Sequence, residues 1–445
     1  MASAAISERI PEPEAGHATS AKGELARLLP LVLVVYSLLL PREIHVTLGE
    51  QTLYPSRAIL LVLSLWLVHH IGSGRLAWRM ADVFVLFGAV WMVVSFITAY
   101  GLSEGGIRGG ALGFDVLAPY LVARACIRSA TDMRRLLVMI APGLFVAGAS
   151  IVIESIVGHQ IVRPLAAAMF NPLQIYEDGV AIAQYEYGNQ FRLGLLRAAG
   201  PFSHPIVGGV LLASLIPLYL GSSLRGWPLL AGLAAAACAA FTVSSGPMLV
   251  AAICMGMLSF DAFQQRSTLL GWRTVIILGL LALAFIQVGS DNGAIRYLLR
   301  FTLEPGTGYF RLLIWEFGSR SVAEHPLFGI GFNDYERLPW MVPSVDAAWL
   351  LLAIRHGLPA VVPLFVGAIW AVGSLANMAS VRSGTVDRPL FAGLAISLFA
   401  LMLAGFTVAY FGALQTWFWA MVGTGVALGT TTARQTDEFG RIPHA

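Results

Sequence analysis

Apolar runs long enough to cross a lipid bilayer recur along almost the whole chain, and they leave few folds open. Segment 136–157, LLVMIAPGLFVAGASIVIESIV, holds Glu154 as its only charge, and segment 82–100, DVFVLFGAVWMVVSFITAY, holds only Asp82. No water inside a bilayer can satisfy backbone groups, so a crossing segment folds as a helix of about 20 apolar residues. Charged residues make up 12% of the chain and apolar ones 57%, against roughly one quarter charged in soluble domains. A water-soluble globule with this balance could not hide its apolar surface. The expected fold class is an all-α polytopic membrane protein.

About twelve spans are expected, at 28–40, 54–71, 82–100, 112–127, 136–157, 204–221, 227–243, 246–260, 273–290, 346–372, 389–410 and 412–429. Residues 1–24 are polar and lack an apolar run, so they read as a disordered tail, not a signal peptide. Residues 431–445 form a second tail, leaving 25–430 as one transmembrane domain. Basic residues set the orientation. With the first tail in the cytoplasm, Arg75, Arg79, Arg128, Arg134, Arg135, Arg225, Arg266, Arg382 and Arg388 share its face. The short loops opposite carry only Arg42 and Arg108, with Arg57 just inside the second span. Both termini are therefore expected in the cytoplasm.

Two long loops, 158–203 and 291–345, fall on the outer face and are rich in arginine. Lys22 is the only lysine, so almost every cation is a guanidinium, which grips phosphate oxygens bidentately and stays charged in a dry site. Cys126, Cys238 and Cys254 all lie in expected spans, so neither an outer disulfide framework nor a metal-ligand spacing is present.

The second loop ends in a polar, sharply turned piece. In 305–326, PGTGYFRLLIWEFGSRSVAEHP, Thr307 reads as the cap of a helix stopped by Pro326. Phe310, Leu313, Ile314 and Phe317 follow helical spacing, and Glu316 and Arg320 are placed to pair. Next comes EHPLFGIGFNDYE, where Glu324 and His325 end the helix and Gly329 and Gly331 let the chain turn back. Asp346, at the mouth of the tenth span, reads either as a helix N-cap or as a functional carboxylate. Arg355 lies ~13 Å further along that helix, expensive there unless it faces a wet or paired interior, with Glu154 a candidate partner. In 195–209, LLRAAGPFSHPIVGG, Arg197 precedes a Gly-Pro turn and His204-Pro205 opens the sixth span. Arg124 reads as a cation snorkelling to the inner edge or as an intramembrane ligand.

In order and spacing, these clusters resemble the O-antigen polymerase and O-antigen ligase superfamily of bacterial inner-membrane glycosyltransferases. The match runs through R-x-x-G-x-F-x-(H/N)-P at Arg197 to Pro205 and T-x-S-(S/R)-G at Thr242 to Gly246. It closes with R-x-x-x-W, H-P-x-x-G-x-G and the following span entrance, Arg311 to Ala360. The hairpin arginine often found in the family is absent, and Asp346 stands where ligases carry a histidine.

The resemblance implies metal- and cofactor-independent, inverting transfer on the periplasmic side, from a glycan on undecaprenyl diphosphate. Arg197 and Arg311 would contact the diphosphate, with Arg320, Arg355 and Arg124 behind them and His204 nearby. The base would be Asp346, His325 or Glu324. Asp346 favours a polymerase of exopolysaccharide or O-antigen repeats over a ligase, with a flippase and a chain-length regulator as pathway partners and no role for nucleic acid. A transporter or lipid flippase is the rival class, but it predicts two similar halves, and no such repeat is visible.

Overall fold

The computed structural model describes residues 15–48, 51–74, 76–170, 175–177, 180–182, 190–267, 271–289 and 305–429. Most of the expected tails, and Arg75, Arg296 and Arg300 of the loops, lie outside these residues. The chain folds as helices α1 (Ala15–Leu38), α2 (Pro55–Gly72), α3 (Met80–Tyr100), α4 (Leu102–Cys126), α5 (Ala130–Val157) and α6 (Val162–Phe170). After these come α7 (Pro205–Ala213), α8 (Leu215–Gly221), α9 (Trp227–Ala237) with a 3-10 turn at Cys238–Thr242, α10 (Ser245–Arg266) and α11 (Trp272–Gly289). The last are α12 (Pro305–Glu324), α13 (Ala348–His356), α14 (Leu358–Val381), α15 (Arg388–Ala404) and α16 (Ala413–Leu428). Three small hairpins are the described strands: β1–β2 (Val46–Leu48, Gln51–Leu53), β3–β4 (Ile175–Glu177, Val180–Ile182) and β5–β6 (Phe191–Arg192, Leu195–Leu196).

Each of the twelve expected spans overlaps a helix, but among the described residues only α2, α3, α5, α10 and α14 are long and apolar enough to cross a membrane. Shorter apolar helices lie at Leu25–Leu38, Pro205–Gly221, Trp227–Thr242 and Arg388–Ala404. The molecule is a membrane-embedded helical protein. α1 begins at Ala15, inside the segment expected to be a disordered tail. α12 begins at Pro305, so Thr307 lies within the helix and does not cap it; proline is well suited to a first helical turn.

The expected tenth span is broken. Gly357 takes φ +78, and a Cβ there would sit 2.2 Å from the Leu327 carbonyl oxygen, so the backbone leaves the helix at a position only glycine fills without strain. α14 restarts with the Leu358 N–H donating to Pro326 C=O at 2.7 Å. The same break anchors the HPLFGIGF turn. Trp91 on α3 donates its Nε1–H to Leu327 C=O at 2.9 Å and stacks on Phe328. The N–H groups of Ile330 and Gly331 donate to Ile354 and Arg355 C=O at 2.8 and 3.1 Å. The turn is thus clamped between α3 and α13.

At the other end of α3, a buried polar knot fastens α3 to α4. Arg124 donates from Nε and Nη2 to the two oxygens of Asp82 at 2.9 and 2.8 Å, and from Nη2 to Ala77 C=O at 2.7 Å. Tyr120 donates its hydroxyl to the same carboxylate. Arg124 is paired inside the protein and does not snorkel.

Candidate functional site

The site is assembled where α5 ends. Glu154, 1% exposed, has one carboxylate oxygen accepting from the Ile161 and Val162 N–H groups at 2.8 and 2.9 Å, and the other accepting from Gly200 N–H at 2.8 Å. It ties the start of α6 to the Gly-Pro turn and is committed to backbone, not to Arg355. Ser155 donates to Leu196 C=O at 3.0 Å, fixing β5–β6. That hairpin turns through Leu193 and Gly194, both at positive φ (53° and 79°), as a two-residue loop requires. Arg197 follows directly: its N–H donates to Gln190 C=O at 2.8 Å and its Nη1 to Gln190 Oε1 at 2.6 Å.

Below the hairpin, Arg163 is fully buried against Glu43, with Nε to Oε1 at 2.8 Å, and its Nη1 donates to Ser203 C=O at 3.1 Å. His204 is the N-cap of α7, its Nδ1 accepting from Ile206 N–H at 3.2 Å. Burial first, then the charges of Arg197, Arg163 and Arg192, hold its pKa down at about 3, so it is a neutral cap near pH 7. An asparagine could make the same bond.

The other half of the site comes from the second long loop. Leu313 and Ile314 of α12 pack with Leu350 and Ile354 of α13, together with Tyr335 and Val345. This small core brings Arg311, near the start of α12, to Asp346, just before α13. Arg311 is 7% exposed, and its Nε has no hydrogen-bond partner among the described residues. Burial and the charge of Arg192 weaken its hold on its proton, opposed by Asp346; the group stays cationic regardless. Burial raises the pKa of the Asp346 carboxyl above the usual value, more than Arg311 and Arg197 pull it down. Tyr335, whose hydroxyl is buried without a partner among the described residues, also feels the Asp346 charge.

Arg197 and Arg311 thus each act on Asp346 from distant segments of the sequence, and the structure adds Arg192, whose charge acts on Arg311. The remaining candidates lie elsewhere. Arg320 is exposed, paired with Glu316 at 2.6 Å and placed over Phe317. Glu324 and His325 are exposed at the far end of α12, ~20 Å along the helix from Arg311. Arg124 lies at the end of α4, just before α5, whereas Glu154 is ~36 Å along α5 from its start at Ala130. Arg355 borders a cavity between α3, α4, α13 and α16.

The chain matches no protein-family model and no curated protein. What the site can do therefore follows from its own chemistry: buried Arg197 and Arg311, half-buried Arg192 and the half-buried Asp346 carboxyl, a surplus of positive charge. Such a cluster suits a ligand carrying two or more negative charges. Among the described residues, no group of three His, Cys, Asp or Glu side chains is gathered as a metal site. Arg192, Glu154 and Tyr335 were not singled out as site residues by their spacing. The Leu-Gly turn after Arg192 was the available signal.

Proposed function

We propose that the cluster transfers a glycan from undecaprenyl diphosphate to a sugar hydroxyl, on the periplasmic side of a bacterial inner membrane, with both termini in the cytoplasm. The observation that carries this reading is Arg311: a buried guanidinium with an unmet donor, beside a carboxyl of raised proton affinity. Leaving a buried donor unpaired costs about 1–3 kcal/mol, more when it is charged, and an incoming diphosphate would relieve that cost.

In this reaction the acceptor oxygen attacks the anomeric carbon and its proton passes to the Asp346 carboxylate. The bond from that carbon to the diphosphate oxygen breaks, and the electron pair leaves with the diphosphate. Arg311, Arg197 and Arg192 donate hydrogen bonds to the oxygens where negative charge builds, as preorganised groups in a low-dielectric site. Attack opposite the leaving group inverts the anomeric centre.

The resemblance to the O-antigen polymerase and ligase superfamily supports the same chemistry, and Asp346 in the ligase histidine's place favours polymerisation of repeat units. A strain lacking the protein should accumulate single repeats on undecaprenyl diphosphate and make no polymer. Wild-type protein should restore polymer, and Arg311→Ala at equal membrane abundance should not. Accumulated long lipid-linked chains would indicate a ligase instead. Repeats trapped on the cytoplasmic leaflet would indicate a flippase.

A further inference from the structure

α6 is turned inside out for a helix in water. Over Val162–Phe170, VRPLAAAMF, its one charged residue is Arg163, which faces inward onto Glu43 and Ser203 C=O. The outward residues are apolar and uncovered: Leu165 is 59% exposed, and Met169, one turn on, 68%. A helix on a water-facing surface does the reverse, with its charges outward and its apolar stripe on the core. The neighbouring α5 indicates what meets this face. It is long and apolar enough to cross a membrane, and near its end Ile153, Ile156 and Val157 are all exposed. On a spanning helix such side chains meet acyl chains. Glu154, in the same last turns of α5, accepts from the Ile161 and Val162 N–H groups. α6 thus starts within reach of a side chain at the depth where α5 still presents apolar residues outward.

We propose that α6 lies along the lipid surface, with Leu165, Met169 and Phe170 immersed in the leaflet where α5 ends, and that it sets the height of the arginine cluster above the acyl chains. Interfacial helices bury their apolar face roughly 5–10 Å into the boundary between headgroups and acyl chains. The inward side of α6 is bonded to the site at two points. Arg163 donates to Ser203 C=O at 3.1 Å, and the second Glu154 oxygen accepts from Gly200 N–H at 2.8 Å. Both contacts fall in the turn between Arg197 and His204. A polyprenyl diphosphate carries its diphosphate at the level of the neighbouring lipid phosphates. A helix anchored there and bonded to the turn after Arg197 therefore holds that guanidinium level with the leaving group. The immersion of α6 stands on α5 and α6 alone; its consequence for the cluster rests on the glycosyl-transfer reading.

The test is power-saturation EPR on the full-length protein in phosphatidylcholine–phosphatidylglycerol nanodiscs. Leu165→Cys and Met169→Cys each carry a nitroxide, and the signal of the native Cys126, Cys238 and Cys254 is subtracted with labelled wild type. Both labels should collide more with oxygen than with a water-soluble nickel chelate, at a depth of roughly 5–10 Å below the phosphates. Preference for the chelate puts the face in water. Shielding from both reagents, or broadening by the label of a second copy, puts protein over it. Either result overturns the immersion, and each position is read alone, so one decides if the other variant does not fold. Met169→Glu should lower turnover of a polyprenyl-diphosphate-linked repeat unit at least about tenfold at equal membrane abundance, since a misplacement of ~1 Å can cost about a hundredfold. Met169→Leu should keep the wild-type rate. Unchanged turnover in Met169→Glu overturns the height-setting role. Failure of the transfer reading shows separately, as wild-type protein without turnover whose labels still report lipid.

Discussion

Arg311 is buried within reach of the Asp346 charge, and its Nε is hydrogen-bonded to nothing among the described residues. A fold selected for stability alone has little use for that arrangement, because a well-packed apolar side chain in the same place is often neutral or stabilising. Arg311→Met should therefore leave the melting temperature unchanged or raise it, while transfer falls at least about a hundredfold. Arg311→Lys should recover only part of the activity, since an ammonium lacks the planar fork. Thermal melts and turnover measured on the same preparations check both statements.

Asp346 sets a pH signature. Its carboxyl holds its proton more tightly when folded than when unfolded, so the stability it contributes is full below the unfolded value of about 3.9. That contribution is lost as pH rises through the raised folded pKa. Relative to wild type, Asp346→Asn should thus gain melting temperature as pH rises from 4 toward 7 (an approximate window). The same variant should be inactive, and the wild-type rate should show an acid limb above the ordinary carboxylate range.

His204 has the opposite sign. Its pKa is depressed to about 3, so its contribution is present above the unfolded value of about 6.5 and is lost progressively as pH falls toward 3. His204→Asn keeps an acceptor for the Ile206 N–H and should be less acid-labile than wild type. His204→Ala should lose about 1 kcal/mol through the missing cap. Melting curves across this pH range separate the two roles.

The Asp82–Arg124 knot should behave as structure and not as catalysis. Replacing either partner by Ala leaves a buried charge uncompensated and should destabilise the fold by about 3–5 kcal/mol. Activity per folded molecule should stay near wild type. Arg320→Ala, at an exposed i,i+4 pair, should change stability by no more than about 0.5 kcal/mol and leave turnover unchanged.

The positions of the helices were legible in the sequence because a bilayer imposes a length and an apolarity that composition records directly. The break at Gly357 was legible only in part. Gly357 with Pro359 two residues on is a local sign of a helix end and restart, but the Leu327 carbonyl that occupies the break arrives from another segment. The cations divided on the same principle. Arg197 and Arg311 stand out by their order relative to the Gly-Pro turn and the His-Pro helix stop. Arg124 resembled them as a charge in an apolar run until Asp82, forty-two residues away, was placed against it. The role of Glu154 is to accept backbone N–H groups from two loops at once, and side-chain spacing cannot report such a contact.

The central claim is that Arg197, Arg311 and Asp346 together drive departure of a lipid diphosphate. The most direct measurement is release of undecaprenyl diphosphate from an undecaprenyl-diphosphate-linked repeat unit by the purified protein in nanodiscs, with EDTA present. Wild-type protein should release it in step with chain elongation, and Arg311→Ala and Asp346→Asn should not. Release by these variants at the wild-type rate, or elongation by the wild type that stops on adding EDTA, would contradict the account.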